Sequence, residues 1–147
     1  MDTSERAIEH LLYTYADRID RGDLDGVADL FAHGRIRGAA DGPLFEGRDG
    51  VRAMFETRVR IYDDGTPKTQ HLTTNARIEV DEDAGTARSR ACYSVTQATP
   101  DLPLQVIVTG RYDDTFHRVG DRWAFDTRVM HVDQVGDVSH HLKRLRR

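Results

Sequence analysis

Near the start of the chain, the apolar positions recur at helical spacing. From Ile8 they fall at i+3, i+4, i+7, i+8 and i+11, ending at Ile19. This is the pattern of a helix that buries one stripe of side chains. The polar residues 2–4 can cap its start and Gly22 can end it. The pattern therefore predicts a first amphipathic helix over this segment.

Two shorter helices are predicted next. Asp23 is a suitable N-cap for a second helix that runs to about Gly34 and forms a helical hairpin with the first. A third helix should begin between Gly47 and Asp49 and end at the breaker residues 63–67. Its predicted buried residues are Val51, Met54, Phe55 and Val59.

After Pro67 the hydrophobic period changes to two, which is typical of β-strands. Four segments follow this pattern: 69–80, 86–97, 104–118 and 122–132. In the third segment, strict alternation places Leu104, Val106 and Val108 together on the packed face. Gly110 indicates a bulge in the same segment.

Helices followed by hairpin-connected strands define the fold class as α+β. We expect a curved antiparallel sheet wrapped on three N-terminal helices, with a pocket enclosed between the two layers. The whole chain, 1–147, should form a single domain that ends in a basic tail at 142–147. Its last five residues, 143–147, should add little to stability, because they hold one apolar residue, Leu145, among four charges.

Composition excludes several classes of protein. The 147 residues carry a net charge of −4, with 21 basic and 25 acidic side chains, which argues against nucleic acid as a partner. No apolar run reaches the roughly 18 residues that a membrane span needs. Met1 is followed by acidic and polar residues rather than by a secretory leader, so we expect a cytoplasmic protein.

The sequence offers no recognisable cofactor or metal site. Cys92 is the only cysteine, so neither an internal disulfide nor a thiolate metal cluster can form. His140 and His141 are adjacent near the C-terminus, and no HExxH or His-x-His pair is present. No glycine-rich phosphate loop follows a strand. We therefore expect no metal and no cofactor.

Several segments resemble SnoaL-like proteins of the nuclear transport factor two superfamily. Residues 15–31 are similar to the family's N-terminal helical hairpin, 45–51 to the entry of its third helix and 70–75 to its first long strand. Residues 110–114 and 121–125 are similar to its last two strands. The resemblance implies the scytalone dehydratase-like cone fold, a cone-shaped α+β barrel with a ligand pocket at its wide end. The superfamily contains dehydratases, isomerases, polyketide cyclases and members without catalysis.

The resemblance also suggests candidate catalytic residues. Enzymes of this superfamily use an Asp near the end of the first helix together with a His on the first long strand, and the matching positions are Asp20 and His71. Scytalone dehydratase has a tyrosine just before that Asp, whereas this chain has Ile19. Tyr15, one turn earlier, is the substitute candidate.

The residues themselves leave alternatives open at both positions. Asp20 lies in the last turn of its helix, where the helix dipole disfavours a carboxylate, so it either pairs with His71 or caps the turn into the second helix. Alternation places His71 opposite Leu72, Ile78 and Val80. If Leu72 faces the core, His71 faces solvent unless a bulge intervenes.

Aromatic and histidine side chains on the strands and the third helix are candidate ligand contacts. His131 has the same parity as Trp123 and Phe125 on the last strand, which predicts that it faces the pocket or the core. The candidate ligand-binding residues are His131, Tyr93, Tyr112, Phe55 and Trp123.

Two functions are compatible with these patterns. The first is a small cofactor-independent enzyme in which His71 is the base, Asp20 orients it, and Tyr15 or His131 assists proton transfer on a hydrophobic molecule. The second is a non-catalytic module that binds a ligand or partner in the same pocket. We also expect a homodimer that packs through the outward sheet faces. The distance between Asp20 and His71 discriminates between the two functions.

Overall fold

Three helices and six strands make up residues 3–143, the part of the chain that the computed structural model describes. The helices are α1 (Thr3–Asp20), α2 (Leu24–Asp29) and α3 (Gly47–Arg58). The strands are β1 (Arg35–Gly38), β2 (Leu44–Glu46), β3 (Thr69–Asp81), β4 (Thr86–Thr99), β5 (Leu102–Val119) and β6 (Arg122–Val135). This confirms the predicted α+β class.

The turn between α1 and α2 depends on one glycine and one carboxylate. Gly22 adopts a φ of +75°, and its N–H donates to the carbonyl of Ile19. A Cβ at position 22 would lie 1.8 Å from the Gly65 carbonyl oxygen, so a side chain does not fit here. Asp23 accepts a hydrogen bond from the Gly26 N–H and caps α2, as predicted. The helix ends at Asp29, earlier than the sequence indicated.

The six strands form one open sheet in the order β2-β1-β6-β5-β4-β3. The four long strands pair antiparallel, as the sequence predicts. β1 instead pairs parallel with β6, so the sheet is mixed rather than entirely antiparallel. The sequence did not reveal β1 and β2, because strands of four and three residues are too short to display alternation.

A bulge in β3 decides which side of this strand faces inward. It lies between Thr74 and Arg77, and Asn75 inside it adopts a φ of 57°. Before the bulge, His71 faces the helices, and Leu72 is 41% exposed. After the bulge the parity reverses, so that Ile78 packs against the core. The expectation that Leu72 and Ile78 share a face is therefore wrong.

A second irregularity corrects the prediction for β5. Ile107 is an extra residue in the pairing with β4 and is fully buried. Leu104 and Val106, predicted on the packed face, are 75% and 53% exposed. Only Val108 of that set packs against the core. The physical reason is again a bulge, which breaks the strict period of two.

The core lies between the apolar stripe of α1 and the inner face of the sheet. Tyr15, Phe31 and Phe125 are fully or almost fully buried in it, and the Phe31 and Phe125 rings stack at 4.7 Å. The core also holds an ion pair, in which the Arg128 guanidinium donates two hydrogen bonds of 2.8 and 2.9 Å to Asp114. Neither side chain of this pair is exposed to solvent.

After β6 the chain turns back towards the end of α3. Residues 136–143, here called the C-terminal strap, are held by a β-bridge from Leu142 to Val59 and by the Lys143 N–H, which donates to the Arg58 carbonyl. Leu142 and Lys143 therefore make specific contacts at the end of α3. The rest of the predicted basic tail, 144–147, lies outside the described residues.

Across residues 3–143, no helix combines the length and the apolar character needed to span a lipid bilayer.

Candidate active site

A cavity of about 290 Å³ lies between the helices and the inner face of the sheet. Its walls are mainly aliphatic and aromatic, with a few polar groups, which is the usual composition of a site for a small apolar ligand. The lining residues are Tyr15, Ile19, Met54, Phe55, Arg58, Val59, His71, Tyr93, Val95, Val108, Tyr112, Met130, Val132, Val135, Val138, His141 and Leu142.

Asp20 and His71 are in direct contact beside this cavity. Asp20 Oδ1 lies 2.6 Å from His71 Nδ1, and the two side chains are only 19% and 9% exposed. Asp20 also accepts hydrogen bonds from the Thr69 hydroxyl at 3.0 Å and from the His71 backbone N–H at 2.7 Å. Three donors from β3 thus compensate for the unfavourable position of this carboxylate at the end of α1.

This contact settles the two alternatives that the sequence left open. Asp23, not Asp20, caps the turn into α2. The bulge in β3 turns His71 towards the helices. With Nδ1 donating to Asp20, the neutral ring keeps its lone pair on Nε2, which makes no hydrogen bond to the described residues. Because His71 lines the cavity, Nε2 is the nitrogen available to a bound molecule.

Tyr15 and Tyr112 form an aromatic wall of the cavity. Their ring centroids are 5.9 Å apart in an edge-to-face arrangement. The Arg128 guanidinium lies behind them, 4.2 Å from the Tyr15 ring centroid and 3.6 Å from that of Tyr112, which stabilises the pair by cation–π attraction. Burial raises the pKa of Tyr15, and the charge of Arg128 opposes that shift. The Tyr15 hydroxyl is therefore a neutral hydrogen-bond donor at physiological pH.

Tyr93 and Phe55 also line the cavity, as predicted for ligand contacts. Tyr93 stacks on Tyr112 at 4.4 Å, and its hydroxyl donates to the His131 carbonyl at 3.1 Å. Burial raises the pKa of Tyr93 to about 12. Gly110 makes this packing possible, because a Cβ there would lie 2.5 Å from the Tyr93 ring.

His131 lies outside the cavity lining, so its predicted orientation is wrong. A bulge in β6 beyond Phe125 reverses the alternation, and Met130 rather than His131 lines the cavity. His131 Nε2 instead lies 2.8 Å from Asp113 Oδ2. Trp123 is also outside the cavity lining, since it packs against Arg118, whose guanidinium is 4.8 Å from its ring.

His141 is a site residue that the sequence did not indicate. His141 lines the cavity and is only 7% exposed. Its ring centroid lies 6.4 Å from that of His71. Burial lowers the pKa of His141 to about 4, and the nearby His71 contributes to the shift. No local pattern indicates this role, because the strap that carries His141 has neither helical nor strand periodicity.

Within residues 3–143, no cluster of three or more His, Cys, Asp or Glu side chains is arranged to hold a metal ion. Asp113 and Asp114 are adjacent in sequence, but they face opposite sides of β5. Asp113 contacts the outward Arg90, whereas Asp114 contacts the buried Arg128.

The fold is thus an α+β arrangement with a largely apolar cavity between its helices and its sheet. The chain belongs to the SnoaL-like domain family, which matches residues 3–129. No curated protein matches the chain.

Solved structures share the fold over nearly the whole chain. A Mycobacterium tuberculosis protein of unknown function, Rv3472, is 26% identical, with a TM-score of 0.72 over 90% of this chain and 73% of its own. A putative scytalone dehydratase from Novosphingobium aromaticivorans is 23% identical, with a TM-score of 0.73 over 97% and 89%. ActVI-ORFA from Streptomyces coelicolor is 16% identical, with a TM-score of 0.72 over 91% and 100%.

Proposed function

We propose that this protein is a cofactor-independent enzyme that transfers a proton on a hydrophobic small molecule, as a dehydratase, isomerase or polyketide-type cyclase does. The observation that carries the proposal is the contact between Asp20 and His71 beside an apolar cavity. A histidine oriented by a carboxylate is an effective general base, because the carboxylate fixes the tautomer and stabilises the imidazolium that forms.

In the proposed reaction, His71 Nε2 removes a proton from a carbon next to a carbonyl group of the substrate. The electron pair of the C–H bond moves into an enolate, and Asp20 stabilises the positive charge on His71. Tyr15, neutral and lining the cavity, donates a hydrogen bond to the enolate oxygen. The apolar walls exclude water, which strengthens both electrostatic interactions.

The test follows deuterium exchange into 2-tetralone in D₂O by proton NMR. This bicyclic ketone has acidic C–H bonds beside its carbonyl and suits a cavity of about 290 Å³. We expect the wild-type protein to accelerate the exchange. His71→Gln should slow it by about 10²–10⁴-fold, the usual contribution of a general base.

Asp20→Asn should slow the exchange as well, and Asp17→Asn is the matched control. Asp17 lies on the same helix but is exposed and pairs with Arg21 at 2.9 Å, so its variant should exchange at the wild-type rate. If wild-type and His71→Gln proteins bind 2-tetralone equally and neither accelerates exchange, the protein is a ligand-binding module instead.

A further inference from the structure

We infer that His141 is a second ligand-contacting residue of the cavity, where its neutral imidazole hydrogen-bonds an oxygen atom of the substrate. This inference rests on the proposed function for its site. It adds a chemical feature of the substrate: a hydroxyl or carbonyl oxygen at the end of the cavity near the strap.

The His141 imidazole carries polar atoms whose hydrogen-bonding capacity is not satisfied. His141 Nδ1 is buried and has no hydrogen-bond partner among the described residues. Buried polar groups in folded proteins are nearly always paired. His71 and His131 each contact a carboxylate, Asp20 and Asp113. His117 Nε2 is buried without a partner among the described residues as well, but His117 does not line the cavity. The His141 ring lines the cavity, and its other nitrogen, Nε2, is not closed off in this way and makes no hydrogen bond to the described residues, so Nε2 is the nitrogen that a bound molecule can reach.

Hydrogen bonds to the backbone hold the segment that carries His141 in place. The His141 carbonyl accepts a hydrogen bond from the Arg60 N–H at 2.8 Å. The preceding carbonyl, that of His140, accepts from the Tyr62 hydroxyl and from Gln97 Nε2. Backbone contacts on both residues therefore fix the strap where it meets the cavity, while the His141 side chain makes no hydrogen bond within residues 3–143. A binding residue needs such preorganisation.

His71 and His141 differ in their electrostatic environment. Asp20 contacts His71 directly, whereas no carboxylate of the described residues contacts His141, and burial lowers the pKa of His141 to about 4 although the charge of Asp20 opposes that shift. His141 therefore remains neutral when His71 gains a proton, since the charge on His71 disfavours a second one. The His71 ring can accept the proton, while the neutral His141 ring offers one hydrogen-bond donor and one acceptor.

The experiment compares two probes of the same shape, 2-naphthol and 2-methylnaphthalene, which differ by a hydroxyl in place of a methyl group. Their dissociation constants are measured by fluorescence titration. We expect wild-type protein to prefer 2-naphthol by about tenfold or more, the contribution of one hydrogen bond. His141→Phe should reduce that preference about tenfold and leave the affinity for 2-methylnaphthalene within about twofold.

Two further variants sharpen the comparison. His141→Gln retains a polar donor and acceptor and should recover part of the preference. His140→Phe is the matched control, because His140 is the adjacent histidine and does not line the cavity. This variant should prefer 2-naphthol over 2-methylnaphthalene as strongly as the wild type does. An unchanged preference in His141→Phe, or no preference in the wild type, would overturn the inference.

A second measurement does not depend on any variant. The imidazole nitrogens of His141 should shift in the ¹⁵N NMR spectrum of the wild-type protein when 2-naphthol binds, and no shift would contradict the inference. Failure of the proposed function is distinguishable, because it appears as deuterium exchange that is independent of His71. The probe preference is measured without turnover.

Discussion

At the scale of single residues, the Asp20 carboxylate determines which ring nitrogen of neutral His71 carries the proton. It accepts three hydrogen bonds from β3, one of them from the His71 backbone N–H at 2.7 Å. The backbone N–H can only donate, so the side-chain atom of residue 20 that faces it must be an acceptor oxygen. The remaining oxygen then faces His71 Nδ1 at 2.6 Å and selects the ring tautomer with a proton on Nδ1.

The Asp20→Asn variant should therefore reverse the tautomer of His71. The amide oxygen must replace the oxygen that accepts from the His71 N–H, so the NH₂ group faces Nδ1 and donates to it. The proton of the neutral ring then moves to Nε2, which can no longer act as a base. Imidazole ¹⁵N chemical shifts at neutral pH report this exchange, and identical shifts in the two proteins would contradict it.

A second residue-scale prediction concerns the buried ion pair of Asp114 and Arg128. Removing one partner of a buried pair leaves an uncompensated charge and costs about 3–5 kcal/mol. Asp114→Asn should lower the free energy of unfolding by that amount in urea denaturation. Its neighbour Asp113 contacts Arg90 but is 41% exposed, so Asp113→Asn should cost under about 1 kcal/mol. Similar losses in the two variants would argue against the pair.

At the scale of elements, bulges decide which side chains reach the cavity. Each bulge reverses the alternation of its strand, and this happens in β3, β5 and β6. Gly110, which the sequence indicated as a bulge in β5, pairs in step with β4, and the extra residue opposite it, Asp133, lies in β6. Strict alternation therefore predicts the inward and outward side chains of a strand correctly on one side of a bulge and wrongly on the other.

The C-terminal strap should make the protein sensitive to acid. The pKa of His141 falls from 6.5 to about 4 on folding because of burial. The unfolded chain therefore binds this proton at higher pH than the folded protein does. The stability that His141 contributes is complete above about pH 6.5 and is lost as the pH falls towards 4. The loss amounts to roughly 3 kcal/mol.

This pH dependence can be measured by urea unfolding at pH 7 and pH 4.5 in the wild type and in His141→Gln. The variant lacks the titrating ring, so its stability should fall less between the two pH values. His140→Gln should behave as the wild type does. An equal fall in all three proteins would show that other groups cause the acid sensitivity.

At the scale of the whole molecule, we predict a homodimer that packs through the outward face of the sheet. Arg88, Arg90 and Arg111 are exposed on that face, as expected from the sequence. Leu104 is 75% exposed and Val106 is 53% exposed, although the sequence placed both in the core. Exposed apolar side chains of this size are typical of a contact surface.

Sedimentation equilibrium at micromolar concentration should give about twice the 16.7 kDa chain mass. Leu104→Asp should shift the equilibrium to the monomer, because it places a charge in the contact. Tyr13→Asp is a suitable control, since Tyr13 is 49% exposed on α1, which packs on the other side of the sheet. A wild-type mass of 16.7 kDa would contradict the prediction.

The sequence by itself indicated three helices, the four long strands and the candidate pair of residues, but not the short strands β1 and β2. Helical spacing from Ile8 to Ile19 and the caps at Gly22 and Asp23 are local signals, because each depends on hydrogen bonds within a few residues. The alternating segments after Pro67 likewise located the four long strands. Asp20 and His71 were identified by resemblance to a family, but their contact joins positions 51 residues apart in the chain.

Only the tertiary structure decided the faces of the strands and the members of the cavity. His71 points inward because of a bulge, His131 points outward because of another, and His141 reaches the cavity because the strap crosses from β6 to α3. Each outcome depends on pairing with a distant segment, and such pairing leaves little trace in local periodicity. Hydrophobic spacing reports burial along one element, whereas a binding site requires the relative positions of several.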